Sequence, residues 1–418
     1  MKKILVKGPA LTQSGYGEHA RFLLRTLKTA ENIFDIYFIN INWGQTSWIS
    51  DDSDERKWLD SLIFKTIKHI EAGGNFDISL QVTIPQEWEK LAPINIGVTA
   101  GVETTKIAPG WVEKSLMMDK IIVVSEHTKY GFENTKYPAR DNRTGEEIIV
   151  GCSCPIDVVG FPVKDIKPKK TKLKLKDDFN FLIVGTWIPR KNMQNTIRWF
   201  VEEFKEQEVG LVIKTSLAKN SKRDRMIAEK RLKALLAPYG ERKCNVYLLH
   251  GDMTEEELHG VYKHSKIKAL VNIAHGEGFG LPIFEAAYCG LPVVSINWGG
   301  QVDFMNMSVK DKKGKVSNKP MFTTVSYDIK PVEPDAIWDG VIQVDSQWAY
   351  AREWDYKKAL RTTVKNYKSV QSQARKLKKH VNDTFSEANQ IKKFITAIGG
   401  DAIEKYEEEV DKLLEDLL

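Results

Sequence analysis

Short apolar runs alternate with amphipathic stretches along this chain, and the alternation runs twice. In the first half "KKILVKG", "FDIYFI", "FDISLQV", "INIGVTA" and "KIIVVS" are rich in β-branched residues and bounded by polar or glycine positions, the pattern of buried strands. Helical periodicity lies between several of them, in "GEHARFLLRTLK" and "RKWLDSLIFKTIKHIE". Strands alternating with helices imply a parallel sheet covered on both faces. The pattern stops at 164–176, "KDIKPKKTKLKLK", where seven lysines face one aspartate around a proline, and this stretch reads as a linker. It restarts with strands in "NFLIVGT", "VGLVIKT", "CNVYLLHG", "IKALVNI" and "PVVSIN", and helices in "NTIRWFVEEFK", "DRMIAEKRLKALLAPYG", "TEEELHGVYKHS" and "PIFEAAYCG". At 418 residues the chain exceeds what one core usually serves. The expectation is an α/β protein of two doubly wound, Rossmann-like domains: 1–163, a lysine-rich linker 164–178, 179–380, and C-terminal helices over 381–418. Ligands of such sheets bind outside the carboxyl ends of the strands, here in the cleft between domains.

Several function classes fall away on composition. No apolar run approaches the roughly 20 residues of a membrane span, and Ile4-Leu5-Val6 in "MKKILVKGPA" is too short for a secretory signal core. Cys152, Cys154, Cys244 and Cys289 fall in no metal-ligand or redox spacing, which fits a reducing cytoplasm. A net charge of +6 permits an anionic partner without demanding one. Asp52-Ser-Asp54, inside "DDSDERK", reads as a helix start rather than a metal site.

The stretch "HGEGFGLPIFEAAYCG" (275–290) carries the chemistry. It follows the strand "KALVNIA", and Pro282 suits the first turn of a helix that Gly290 ends. Gly278 and Gly280 allow unusual backbone geometry and close ligand approach. Amides at the helix start can meet an anion or a sugar hydroxyl. Glu277 before the turn and Glu285 one helical turn inside are placed to accept hydrogen bonds from hydroxyls, so a polyhydroxylated ligand explains the arrangement.

The segment "VYLLHGDMTEEELHGVYKHSKIKALVNIAHGEGFGLPIFEAAYCGLPVVSINWGG" resembles the donor-binding region of the retaining GT-B glycosyltransferases of family four, with their Glu-x7-Glu motif. The resemblance implies that Glu277 contacts the transferred sugar, that amides of Phe279, Gly280 and Leu281 hold sugar and phosphate, and that Glu285 holds the ribose. In "VGTWIPRKN", similar to the family's arginine and lysine diphosphate clamp, Lys191 matches the lysine but Thr186 stands where the arginine does; Arg190 or Lys214 is the candidate replacement. "GPALTQSGYGEHAR" is similar to the family's first glycine loop, with Gly15 and Gly17 against the donor phosphates; His19, at the start of the helix, reads as a pocket residue or a polar first-turn residue, the second preferred. "GVETTKIAPGWVEKSLMMDKIIVVSEHTKYGF" resembles the stretch that puts Glu103 near the reacting sugar and acceptor; it orients the acceptor, shares in proton transfer or caps the turn. Ser125 faces the cleft by the same logic.

The family transfers sugar from a nucleoside-diphosphate sugar, here UDP-sugar by preference, without cofactor or metal, and whether by double displacement or front-face substitution stays open. Three readings compete, two of them with an acceptor and one non-enzymatic. One is a hydroxymethylated base in phage DNA, met by "KPKKTKLKLK" and "KDKKGK"; the chain resembles phage-encoded family members, acting in the host cytoplasm. Another is a cell-surface glycan or lipid, with "SVQSQARKLKKHV" (369–381) docking peripherally on a membrane. The third is an inactive sugar-nucleotide-binding module. "FSEANQIKKFITAI" resembles the terminal helix that crosses back in GT-B enzymes. Beyond it Ile403, Tyr406, Val410, Leu413 and Leu417 form one apolar stripe, which packs on its own domain or joins a homodimer through 402–418.

Overall fold

The computed structural model describes residues 1–400 apart from Gln45, Asn142 and 311–313. The apolar stripe of 402–418 and the centre of "KDKKGK" lie outside the described residues. The first domain contains strands β1 (Lys2–Gly8), β2 (Phe34–Asn40), β3 (Ile78–Val82), β4 (Ile94–Thr99), β5 (Lys120–Val123), β6 (Lys136–Arg140), β7 (Glu147–Gly151) and β8 (Ile156–Val158). Its helices are α1 (Gly15–Lys28), α2 (Asp54–Glu71), α3 (Pro109–Ser115) and α4 (Glu126–Asn134). Six strands pair in parallel in the order β2-β1-β3-β4-β5-β8, while β6 and β7 form a separate hairpin. Asp52-Ser-Asp54 is the start of α2, where the Ser53 hydroxyl accepts from the Arg56 amide.

The second domain contains β9 (Asn180–Val184), β10 (Gly210–Thr215), β11 (Asn245–His250), β12 (Ile267–Asn272), β13 (Val293–Ile296), β14 (Asn306–Lys310), β15 (Val316–Pro320), β16 (Thr323–Val325), β17 (Tyr327–Pro331) and β18 (Gln347–Ala351). Its helices are α5 (Met193–Phe204), α6 (Lys222–Leu236), α7 (Glu255–Tyr262), α8 (Leu281–Cys289), α9 (Val302–Met305), α10 (Glu353–Lys365) and α11 (Tyr367–Thr384). The parallel order is β11-β10-β9-β12-β13-β16, with β14-β15 and β17-β18 as hairpins. The fold is GT-B: two Rossmann-like sheets facing one cleft.

The domains share apolar packing. Helix α12 (Glu387–Ala397) returns to the first domain, where Phe394 meets Phe22 at 6.3 Å and joins its core. In the opposite direction, Trp348 from β18 is fully buried in the cluster of Trp88, Trp111 and Phe132; burying one such ring removes enough apolar area for roughly 5 kcal/mol. The lysine-rich stretch is strapped down rather than free. Lys164 bridges Glu18 of α1 and Glu255 of α7, the Lys169 amide donates to the Glu256 carbonyl, and Leu173 and Leu175 pack on the second domain. Helix α11 buries Val370, Ala374, Leu377 and Val381, with α8 as its principal packing partner. The apolar face on which membrane docking by 369–381 depended is therefore already covered.

Candidate functional site

Strand order reverses beside β9: β10 and β11 lie on one side, β12, β13 and β16 on the other. Loops leaving β9 and β12 consequently diverge and leave a crevice between them. The loop after β9 ends in the turn Pro189–Lys191, closed by Asn192 at φ 50°, and carries Arg190 and Lys191. The loop after β12 carries Glu277, and the His275 amide donates to the Arg190 carbonyl at 2.8 Å, tying the two loops together.

Five residues converge there. Lys191 Nζ lies 2.6 and 2.8 Å from the two Glu277 carboxylate oxygens. Arg190 reaches Glu277 at 3.2 Å, the Gly276 carbonyl at 2.7 Å and Glu103 of the first domain at 3.0 Å. Asn272, the last residue of β12, donates to Glu277 at 2.9 Å. Glu277 is 5% exposed. Burial alone would raise its pKa, but Lys191 and then Arg190 overcome that and hold it at about 2. Burial is the largest influence on Lys191 and lowers its pKa, against the pull of Glu277. Arg190 is held above its ordinary value: burial works against it, and Glu103 and Glu277 outweigh burial. The cluster balances two cations with two carboxylates, a satisfied buried network that would become costly if any one member were lost.

Next along the chain, Gly280 adopts φ +92° as the cap of α8, Pro282 occupies the first turn, and Gly290 at φ +81° ends the helix. Among the described residues nothing accepts a hydrogen bond from the amides of Phe279, Gly280 or Leu281. A helix start with free N–H groups is an anion or hydroxyl site. The Phe279 ring turns away, into an aromatic cluster with Phe161, Phe284 and Phe304. Glu285 lies on α8 and accepts from the Tyr262 hydroxyl at 2.7 Å. Burial pushes its pKa up to about 7, against Tyr262 and Lys164. Thus the two glutamates of one loop sit in opposite electrostatic settings.

The first domain closes on this loop. A Cβ on Gly276 would lie 2.0 Å from the Glu103 carbonyl oxygen, and one on Gly278 2.4 Å from that of Ala100. Neither glycine has a left-handed backbone. The expected close ligand approach at Gly278 is thus replaced by close approach of the other domain's backbone. Gly280 keeps its conformational role. Ser125 caps α4 and donates to the Gly278 carbonyl at 2.6 Å, and the Glu126 amide donates to Asp303 at 2.8 Å. Gly15 faces the Leu281 side chain, which brings the glycine loop opposite the start of α8, and the amides of Gly15 and Tyr16 also lack an acceptor among the described residues. Gly17 is glycine for packing, since its Cβ would lie 2.1 Å from the Thr12 carbonyl oxygen.

Other expected residues stand apart. Lys214 Nζ donates to the Gly251 carbonyl at 2.6 Å, between β10 and β11, and makes no contact with the Glu277 cluster. Thr186 is exposed; Arg190 is the cation that the loop brings beside Lys191. His19 is not a polar first-turn residue: it is 1% exposed, its ring lies 5.1 Å from Phe161, and burial lowers its pKa to about 4. Sequence reasoning missed Asn272, whose signal is a polar residue closing an apolar strand. It also missed His275, stacked 4.8 Å from Trp348 and bonded to the Ala349 carbonyl, and Tyr262, which carried no signal.

Residues 164–316 match the family described as Glycosyl transferases group 1. No curated protein matches the chain in sequence. Among solved structures the chain is similar to sucrose-phosphate synthase from Thermosynechococcus elongatus, at 13% identity and a TM-score of 0.56 over 100% of both chains. It is similar to Anabaena HepE, solved with UDP and glucose, at 12% identity and 0.58 over 96% of this chain and 100% of that one. The lipopolysaccharide outer core galactosyltransferase WaaB gives 13% and 0.53 over 96% and 100%. At these identities the likeness concerns the fold.

Proposed function

We propose that the protein is a retaining glycosyltransferase of the family-four kind, moving a sugar from a nucleoside-diphosphate sugar, UDP-sugar by preference, to an acceptor hydroxyl without a metal. The observation that carries this reading is the Glu277–Lys191–Arg190 cluster set beside the free amides at the start of α8. The match of 164–316 and the UDP in the HepE structure support the donor class.

In this reading Glu277 accepts hydrogen bonds from sugar hydroxyls in place of those it accepts from Lys191, which frees Lys191 for the diphosphate. The Phe279, Gly280 and Leu281 amides steady sugar and phosphate, those near Gly15 approach the phosphates from the other domain, and Glu285 takes the ribose. The acceptor oxygen bonds to the anomeric carbon as that carbon's bond to the phosphate oxygen breaks; the diphosphate leaves with that electron pair, and the acceptor hydroxyl's proton goes to the departing diphosphate. Oriented amides and Lys191 act where charge develops, a task worth several kcal/mol per well-placed donor. Glu103, held by Arg190, orients the acceptor hydroxyl.

The leading acceptor is a hydroxymethylated base of phage DNA; with α11 covered, the membrane acceptor has lost its sequence argument. An inactive sugar-nucleotide-binding module is the second reading, favoured by the absence of a cation at Thr186. The test is nucleotide release from a panel of nucleoside-diphosphate sugars, followed by mass spectrometry with hydroxymethylcytosine DNA. UDP-sugar hydrolysis that drops about a hundredfold or more in Lys191→Met supports the transferase; no turnover of any donor overturns it in favour of the inactive module.

A further inference from the structure

The first-domain rim of the cleft carries aromatic rings that the transfer chemistry does not use. Tyr16, between Gly15 and Gly17, packs its ring 4.2 Å from that of Trp43, and its hydroxyl is fixed by Thr99 at 2.7 Å. Thr99 ends β4, four residues before Glu103, and the Glu103 charge acts on the Tyr16 hydroxyl. Trp48 follows in the same loop and is 49% exposed although its backbone is held in place by a bridge to Thr12 and by flanking bonds from Gln13 to Ser47 and from Ile49 to Leu11. A large ring held open to solvent on an ordered backbone is a stacking surface.

The opposite rim is cationic. The Ser47 hydroxyl reaches the Lys219 carbonyl across the cleft at 3.4 Å, so the aromatic loop and the segment leading into α6 adjoin. Lys219, Lys222 and Arg223 take part in no ion pair among the described residues. Helix α6 buries only Asp224, Ala228 and Leu232, a stripe one residue wide, which leaves its basic face in water. Of the nearby acids, Asp224 is bonded to His250, Glu229 to Arg225 and Asp252 to Asn220.

Resting on the transferase reading, we infer that the cleft mouth is a nucleic-acid site: an unstacked base lies on the exposed Trp48 ring beside Trp43, which Tyr16 backs from the core, while Lys219, Lys222 and Arg223 take backbone phosphates. Aromatic platforms beside unpaired cations are the combination that single strands require. A neutral glycan has no use for the cations. A lipid surface needs apolar side chains projecting on one plane, whereas the Tyr16–Trp43 pair is recessed. An acceptor base must leave a duplex stack to reach Glu103, so single-stranded DNA binds more tightly than duplex.

The test is fluorescence anisotropy of the full chain with a labelled single strand of about 20 nucleotides, the matching duplex, and cosedimentation with vesicles containing phosphatidylserine. Expected are tighter binding of the single strand, about tenfold weakening in Trp48→Ala, and a salt slope shallower by roughly 1.4 in Lys222→Glu/Arg223→Glu. Both substitutions lie at exposed positions, and circular dichroism checks their folding. Absence of single-strand binding at low salt, parental affinity in both variants, or vesicle binding through exposed Met226 and Ile227 in place of DNA overturns the inference. Donor hydrolysis by the unsubstituted protein without acceptor reports on the transferase reading separately, so the two can fail independently.

Discussion

Glu277 and Glu285 belong to one loop and helix, yet the fold treats them oppositely. Glu277 sits where loops from β9 and β12 meet and is surrounded by Lys191, Arg190 and Asn272; cations win over burial, and its pKa falls to about 2. Glu285 lies on α8 with a neutral Tyr262 as its direct partner; burial wins, and its pKa rises to about 7. The difference teaches that the Glu-x7-Glu spacing fixes position, while strand order fixes charge, because only the first glutamate lies at the point where the sheet order reverses.

Substituting each glutamate in turn is the sharpest way to break this contrast. Glu277→Gln strands the buried Lys191 cation, while Arg190 keeps Glu103, so transfer is expected to fall by about a thousandfold and unfolding free energy by about 3 kcal/mol, read by single-turnover kinetics and urea unfolding. Glu285→Gln leaves folding at neutral pH intact and raises the KM for donor. Equal destabilisation by both substitutions contradicts the contrast.

Next in size is the contact between domains. Gly276→Ala places a methyl 2.0 Å from the Glu103 carbonyl oxygen, so the cleft cannot close fully. Transfer is expected to drop about a hundredfold, with a larger radius of gyration by X-ray scattering and little change in Tm. An unchanged radius with full activity refutes the close approach of the domains.

A smaller effect concerns pH. Glu277, with its pKa below the ordinary carboxylate value, contributes stability that is present above about pH 4.5 and lost as pH falls toward 2. Glu285, with its pKa raised, contributes stability that is present below about pH 4.5 and lost as pH rises through 7. Between those limits the Glu285 contribution is on the order of 3 kcal/mol. Tm measured from pH 5 to pH 8 is therefore expected to decline less steeply in Glu285→Gln than in the unsubstituted protein. The smallest expected effect belongs to the partly exposed Lys106–Asp345 pair across the domains, where Lys106→Ala costs less than about 1 kcal/mol by urea unfolding.

Much of this architecture was legible in the sequence, for physical reasons. Strands β1 to β5, β9, β10, β12 and β13 are apolar runs with largely buried centres, which the sequence pattern reveals, while the edge strand β11 is half-buried throughout. The start of α8 was readable because Gly280, Pro282 and Gly290 each do something backbone sterics require. Residues 306–351 were not legible: β14, β15, β17 and β18 are short, partly polar hairpin strands, and the stacking of Trp348 on His275 joins positions far apart in sequence. Likewise, no local signal distinguishes a glycine that admits a ligand from one that admits another domain's carbonyl, which is the role of Gly276 and Gly278. Pairing was equally hidden. Arg190 and Lys214 looked interchangeable as cations, and only the loop after β9 brings the first to Glu277 while β10 keeps the second with Gly251.

The central claim is that this crevice holds a nucleoside-diphosphate sugar between Lys191, Glu277 and the amides of α8. Titration calorimetry of a UDP-sugar into the unsubstituted protein and into Lys191→Met tests it directly, with folding of both checked by circular dichroism. Saturable one-to-one binding that weakens at least tenfold in Lys191→Met is the predicted result. Binding of equal strength in both proteins, or no heat with any nucleoside-diphosphate sugar, contradicts it.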